Sequence, residues 1–226
     1  MQLIIGNKNY SSWSMRAWVL MRAMNLPFTE HKLRLSFAPG SAFYQAVARV
    51  SPAGKVPVLV LDDGFAVWDT LAIAETLADL YPDAGVWPVD ARARARARCL
   101  SADMHSGFGA LRGHCPMNIE ADLHEAGAGI WQEQPGVRAD VARIEQLWAD
   151  ALQASGGPFL FGDFCAADAF FAPVAMRVRG YGLPASPTAQ AYIDRLCAHP
   201  AVAAWIADAL AEHDFIAEDE PYRTAP

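Results

Sequence analysis

The segment Ser51-Pro52-Ala53-Gly54-Lys55-Val56-Pro57-Val58-Leu59-Val60-Leu61-Asp62-Asp63-Gly64-Phe65-Ala66-Val67-Trp68-Asp69-Thr70 holds two apolar runs, 56–61 and 65–68, joined by Asp62-Asp63-Gly64. β-Branched and aromatic side chains suit a pleated surface, and an Asp-Gly turn between two such runs is a hairpin signature. Proline lacks an N–H and is confined to strand starts and edges, so the first strand begins at Pro57. X–Pro is also the linkage in which a cis bond costs little. A cis Val56–Pro57 bond would turn the Val56 backbone outward, free to pair with an extended peptide, whereas a trans proline would merely punctuate the loop. Directly after the hairpin, Leu71, Ala74, Leu77, Ala78 and Tyr81 recur at helical spacing and predict a helix over 70–80.

Upstream of the hairpin the periodicity alternates. Leu3-Ile4-Ile5 reads as a strand, 14–24 as a helix, 28–35 as a second strand and 41–50 as a helix. The order β-α-β-α-β-β-α implies a small α/β domain over 1–81. Downstream, Pro82, Gly85 and Pro88 interrupt every period, so 82–90 reads as a linker. No strand pattern follows. Asp90 can N-cap a long helix with the stripe Ala93, Ala97, Leu100, Met104, Phe108 and Leu111, and further helices are expected over 137–154, 166–179, 188–198 and 201–213. Residues 91–226 therefore read as an all-helical second domain.

The chain has 226 residues, 53% of them apolar, which suffices for a sizeable core and excludes disorder. A net charge of −7 gives no electrostatic footprint for nucleic acid or an anionic membrane. Arg92, Arg94, Arg96 and Arg98 fall on different helix faces and read as solvated or salt-linked. No stretch approaches the ~20 apolar residues of a membrane span, and the opening run is too short for a signal peptide, so a cytoplasmic protein is expected. The cysteines Cys99, Cys115, Cys165 and Cys197 show no C-x-x-C spacing and read as free, mostly buried thiols. No metal-ligand spacing occurs.

Chemistry is concentrated in three places. In Tyr10-Ser11-Ser12-Trp13-Ser14 hydroxyls meet a helix N-terminus, which suits either a cap or an anion such as a thiolate. Lys55-Val56-Pro57 suits a peptide backbone, and Asp69-Thr70 suits a ligand ammonium and carboxylate, or again a cap. Together they describe a receptor for a small zwitterionic peptide with a thiol.

On these residues the sequence resembles the glutathione S-transferase superfamily. Its carriers are Ser11-Ser12-Trp13-Ser14-Met15-Arg16, the segment 51–59, Asp69-Thr70-Leu71-Ala72-Ile73, and Phe161-Gly162-Asp163-Phe164-Cys165-Ala166-Ala167-Asp168. The resemblance implies a thioredoxin-like N-terminal domain, a helical-bundle C-terminal domain, glutathione as co-substrate without a metal, and a homodimer. It implies Ser11 as the catalytic hydroxyl with Ser12 beside it, and Trp13, Lys55, Val56, Pro57, Asp69 and Thr70 on the glutathione side. A hydrophobic electrophile would meet Tyr10, His105, Phe108 and Arg112. Departures are Asp69-Thr70 where the family more often has Glu-Ser, and Cys165 where a helix cap normally has a hydroxyl. The serine loop resembles the zeta class, which includes maleylacetoacetate isomerases, with Trp13 where that class usually has Cys. The expected activity is conjugation of the glutathione thiol to a small hydrophobic electrophile. Isomerase, peroxidase and non-catalytic ligand-binding readings remain beside it.

Overall fold

The computed structural model describes residues 1–225. The chain begins with strand β1 (Gln2–Ile5), helix α1 (Ser12–Ala23), strand β2 (Thr29–Lys32) and helix α2 (Ala42–Ala48). Strands β3 (Val58–Val60) and β4 (Ala66–Trp68) form the expected hairpin, and α3 (Thr70–Leu80) follows with the bounds its periodicity predicts. The sheet order is β2-β1-β3-β4, with β1 parallel to β2 and antiparallel to β3. Leu3 and Ile5 on β1, Leu59 on β3 and Val67 on β4 enter the main core with Ile73, Ala74 and Leu77 of α3. The expected second strand shortens to four residues, since β2 is an edge strand whose one partner, β1, is itself four residues long.

From Ala91 onward the named elements are helical: α4 (Ala91–Ser106), α5 (Gly109–His114), α6 (His124–Glu133), α7 (Pro135–Ser155), α8 (Ala166–Gly180), α9 (Pro187–Ala198) and α10 (Pro200–Leu210). This is the thioredoxin-like sheet unit followed by a helical bundle. Helix α1 lies between the two, against α3 on one side and α8 and α10 on the other. It is accordingly buried around most of its circumference, from Met15 to Met21. No helix among the described residues is long and apolar enough to cross a membrane.

Three differences from the sequence reading matter. The expected stripe 93–111 is broken: α4 ends at Ser106, Phe108 takes φ +55°, and α5 starts afresh. Helix α6 went unseen because Gly127 and Gly129 hide it, yet a Cβ at Gly127 would overlap the Tyr181 carbonyl. The last helix stops at Leu210, not at 213, and His213 takes φ +46°. The segment after it runs back over the sheet unit, where Glu212 accepts the Lys8 and Asn9 N–H groups at 3.0 and 3.1 Å. Asp214 accepts from Asn7 Nδ2 at 2.9 Å. Ile216 closes a second small core with Tyr10, Leu35, Phe43 and Val47.

The α8 capping segment closes on a sulfur. Asp168 Oδ2 accepts the Cys165 N–H at 3.0 Å, and the Cys165 side chain faces the Asp168 N–H in return. Asp168 Oδ1 also takes Leu160 N–H and the Tyr192 hydroxyl, at 3.1 and 2.8 Å. Of the basic repeat, Arg98 is salt-linked, gripping Glu75 of α3 with two bonds of 2.7 Å, Arg94 bonds the Pro88 and Val89 carbonyls, and Arg92 and Arg96 are exposed.

Candidate functional site

A cleft of about 710 Å³ opens between the N-terminal ends of α1 and α3 and residues of α4, α5 and α8. It collects Tyr10, Ser11, Ser12, Trp13, Lys55, Val56, Pro57, Asp69, Thr70, His105 and Arg112. Phe108 alone of the expected residues does not line it. The helix break at Gly107 turns that ring into the main core, so the α4 periodicity could not be extrapolated to it.

On the sheet side, the Val56–Pro57 bond is cis, and β3 starts only at Val58. No hydrogen bond within the described residues uses the Val56 N–H or C=O. Asp69, at φ +79°, caps α3 by accepting the Leu71 N–H at 2.8 Å through Oδ1. Its Oδ2 meets His105 Nε2 at 3.3 Å. Next to it the Thr70 hydroxyl is buried and has no partner at all. Burying a hydroxyl unpaired costs about 1–3 kcal/mol, so an orphan on a cleft wall is an argument for a ligand.

At the start of α1 the two serines separate. Ser11 is the N-cap: its Oγ accepts the Ser14 N–H at 3.3 Å and bonds Ser14 Oγ at 2.7 Å. Ser12 Oγ receives Nη2 of Arg177 at 3.3 Å and makes no other bond, so its own proton remains to be given. Tyr10 is engaged elsewhere, with its hydroxyl donating to Glu220 at 2.6 Å. Burial and the Glu220 carboxylate push that phenol up to about 12.

Around Trp13 the site is cationic, with Arg112 on the cleft wall and Arg16 buried behind it on α1. Arg16, 0% exposed, leaves Nε and Nη1 without partners and stacks 4.2 Å from the Trp13 ring centroid. Arg112 lies 5.0 Å from the same ring, and His105 meets it edge-on at 5.0 Å. Trp13 therefore serves as a π-face for two guanidiniums, a role that a smaller residue at this place would leave empty. Burial, with Arg177 and Arg112 nearby, lowers the Arg16 guanidinium to about 9. Burial also lowers the His105 imidazole; Asp69 opposes this, and Arg16 and Arg112 add to it. Sequence reasoning missed Arg177, Met117 and Asp219, all on the cleft wall. An arginine inside the otherwise apolar run 169–178 was the available signal, because α8 is buried all round.

Residues 10–80 match the glutathione S-transferase N-terminal domain family and residues 127–208 the C-terminal domain family. The chain belongs to the glutathione S-transferase superfamily. Among solved members, a glutathione transferase homologue from Burkholderia, crystallised with bound glutathione, is 26% identical, with 93% of this chain and 98% of that one covered at TM-score 0.65. A beta-class glutathione S-transferase from Sphingomonas chungbukensis is 25% identical, covering 93% of this transferase-family chain and all 100% of its own at TM-score 0.67. A curated relative, a probable maleylacetoacetate isomerase from Caenorhabditis elegans, is 27% identical over 180 residues, 79% of this chain and 81% of that protein. Among the described residues no group of His, Cys, Asp or Glu could hold a metal ion.

Proposed function

We propose that this superfamily member is a glutathione transferase in which Ser12, rather than Ser11, holds the glutathione thiolate. The observation that carries the reading is the division of labour between the two hydroxyls. Ser11 spends its oxygen and proton on Ser14, while Ser12 accepts from Arg177 and keeps its proton free at the cleft. The peptide would run along the sheet side, its cysteinyl backbone pairing with Val56 and its glycyl carboxylate near Lys55. Its γ-glutamyl carboxylate would satisfy the orphan Thr70 hydroxyl, with the ammonium on Asp69.

A neutral hydroxyl is no base for a thiol, so its contribution is to stabilise the anion. A free thiol titrates near 8.5, and lowering that by about two units corresponds to roughly 2.7 kcal/mol of preferential thiolate binding. The N-terminus of α1 adds to the same field. The electrophile, held against Pro116, Met117, His105 and Arg112, would then be attacked by a populated thiolate at close range. Glutathione-bound Burkholderia and other solved relatives support glutathione as the ligand.

The test is a turnover panel in which glutathione depletion, disulfide formation and product are followed together, with Ser11→Ala and Ser12→Ala beside the wild type. Depletion without disulfide, lost in Ser12→Ala and kept in Ser11→Ala, is the expected result; equal loss in both variants overturns the serine assignment. A second reading has its own support in the nematode relative, named as a probable maleylacetoacetate isomerase. Turnover with glutathione unconsumed would favour it over conjugation. Binding without any turnover would favour a ligand-carrying role.

A further inference from the structure

Arg177 is 4% exposed in the last turn of α8 and touches no carboxylate. Its Nε donates to the Cys115 carbonyl at 2.8 Å, its Nη1 to the Pro173 carbonyl at 3.3 Å, and its Nη2 to Ser12 Oγ at 3.3 Å. Carbonyl oxygens satisfy N–H groups, yet they carry no net charge to offset a buried cation. Arg112 likewise spends Nη1 on the His105 and Gly107 carbonyls, and no ion pair involves Arg16, Arg112 or Arg177 among the described residues. The other buried cation among the described residues, Lys8, is paired, with Glu30 at 2.7 Å and Asp208 at 2.6 Å. Arg16 and Arg177 are thus the buried cations without an ion-pair contact among the described residues, and half-buried Arg112 stands beside both, in a chain of net charge −7.

We propose that Arg177 is a positioning residue for the glutathione sulfur: by occupying a lone pair of Ser12 Oγ it directs the Ser12 proton into the cleft, and with Arg16 and Arg112 it makes the sulfur's negative charge the missing counter-ion of the cluster. The inference rests on the transferase reading above. In the step it serves, the S–H bond of glutathione breaks, its electron pair stays on sulfur and its proton leaves to solvent buffer. Ser12 keeps its own proton throughout and only shares it with the anion. Asp69 acts on Arg16 through space but makes its one ion-pair contact with His105, so it forms no direct pair with any of the three guanidiniums. Burial and the neighbouring Arg112 bring Arg177 down to about 10, which agrees with a cation that lacks an anionic partner.

The experiment titrates the ultraviolet thiolate absorbance of glutathione bound to the full chain, in the wild type and in Arg177→Met, Arg177→Gln, Arg177→Lys, Ser12→Ala and Ser12→Ala/Arg177→Met. Loss of the charge in Arg177→Met and Arg177→Gln should raise the bound thiol pKa by about one unit, the shift usual for a lost neighbouring charge. The rate below that pKa should fall about tenfold and recover at high pH, while KM for glutathione stays within about twofold. Arg177→Lys should stay within about 0.3 units of wild type, a rescue that a purely structural role for the fork would not give. In the Ser12→Ala background the Met substitution should move the pKa less than half as far. An unchanged thiol pKa in the neutral variants overturns the proposal and leaves Arg177 as a tie between α8 and the Cys115 carbonyl; the same shift with and without Ser12 overturns the positioning role, because Arg177 would then act on the sulfur by charge alone. If Arg177→Met does not fold, Arg177→Gln, which keeps a donor without the charge, decides on the same criterion. A wild-type protein that fails to hold glutathione in calorimetry overturns the transferase reading itself, a result distinct from either.

Discussion

Two buried polar clusters flank the floor of the cleft, and they are built on opposite principles. Glu220 is itself fully engaged: the carboxylate accepts from the Tyr10 hydroxyl at 2.6 Å, from Asn118 Nδ2 at 2.9 Å and from Arg223. Around Ser12 the reverse holds, with Thr70 Oγ1 and two Arg16 nitrogens unpaired and three guanidiniums facing no carboxylate. A satisfied network rigidifies, and an unsatisfied one costs free energy until something binds. The first therefore fastens the C-terminal segment onto the sheet unit, and the second is the face left for a ligand.

The comparison breaks first at Glu220. Replacing it with Ala strands the Tyr10 and Asn118 donors and the Arg223 charge, and should cost about 2–4 kcal/mol of unfolding free energy. Urea denaturation showing less than ~1 kcal/mol would mean the network is not holding the C-terminal segment. Burial pushes the Glu220 carboxyl up, but the Arg223 and Tyr10 hydrogen bonds outweigh it and hold the group below its usual value of 4.5. With a depressed folded pKa, its contribution is fully present above about pH 4.5 and is lost as pH falls through the folded value. The stability gap between wild type and Glu220→Gln should accordingly narrow in denaturation series run below pH 4.5.

Thr70→Val sharpens the other side of the comparison. Removing an orphan hydroxyl should raise the stability of the ligand-free protein by up to about 1–3 kcal/mol, yet cost about 1.5–3 kcal/mol of glutathione affinity, roughly a ten- to hundredfold rise in Kd. Calorimetric titration with unchanged affinity would detach Thr70 from the ligand. Ser11→Ala should show the opposite balance, about 1 kcal/mol less stable through loss of the α1 cap, with the bound thiol pKa unmoved. A shifted pKa in that variant would return the thiolate to Ser11. The smallest effect expected is that of Tyr10→Phe, which removes one donor to Glu220. Stability should drop by about 0.5–1.5 kcal/mol and turnover should hold, as steady-state kinetics can check.

How far the sequence carried depended on whether a feature was local. The hairpin, the α3 bounds and the cis proline were legible because turn chemistry, period and the lack of an N–H act within a few residues. The Asp90 cap was legible for the same reason, and both Arg92 and Ala93 N–H groups bond it, at 3.0 and 2.8 Å. The break at Gly107 was not, since the apolar spacing continues through Phe108 while the backbone does not. Neither was α6, where Gly127 is required by a contact with Tyr181, some fifty positions away.

By itself the sequence determined two successive units, the first mixed and the second helical, and gathered the candidate glutathione-side residues around two helix starts and one proline-led strand. Only the tertiary structure decided which serine is spent and which is free. Ser11 and Ser12 are neighbours with identical chemistry, and what separates them is Ser14 one turn on and Arg177 from another domain, 165 positions later. A hydroxyl has one proton to give, and where it goes is set by the partners that folding brings to it.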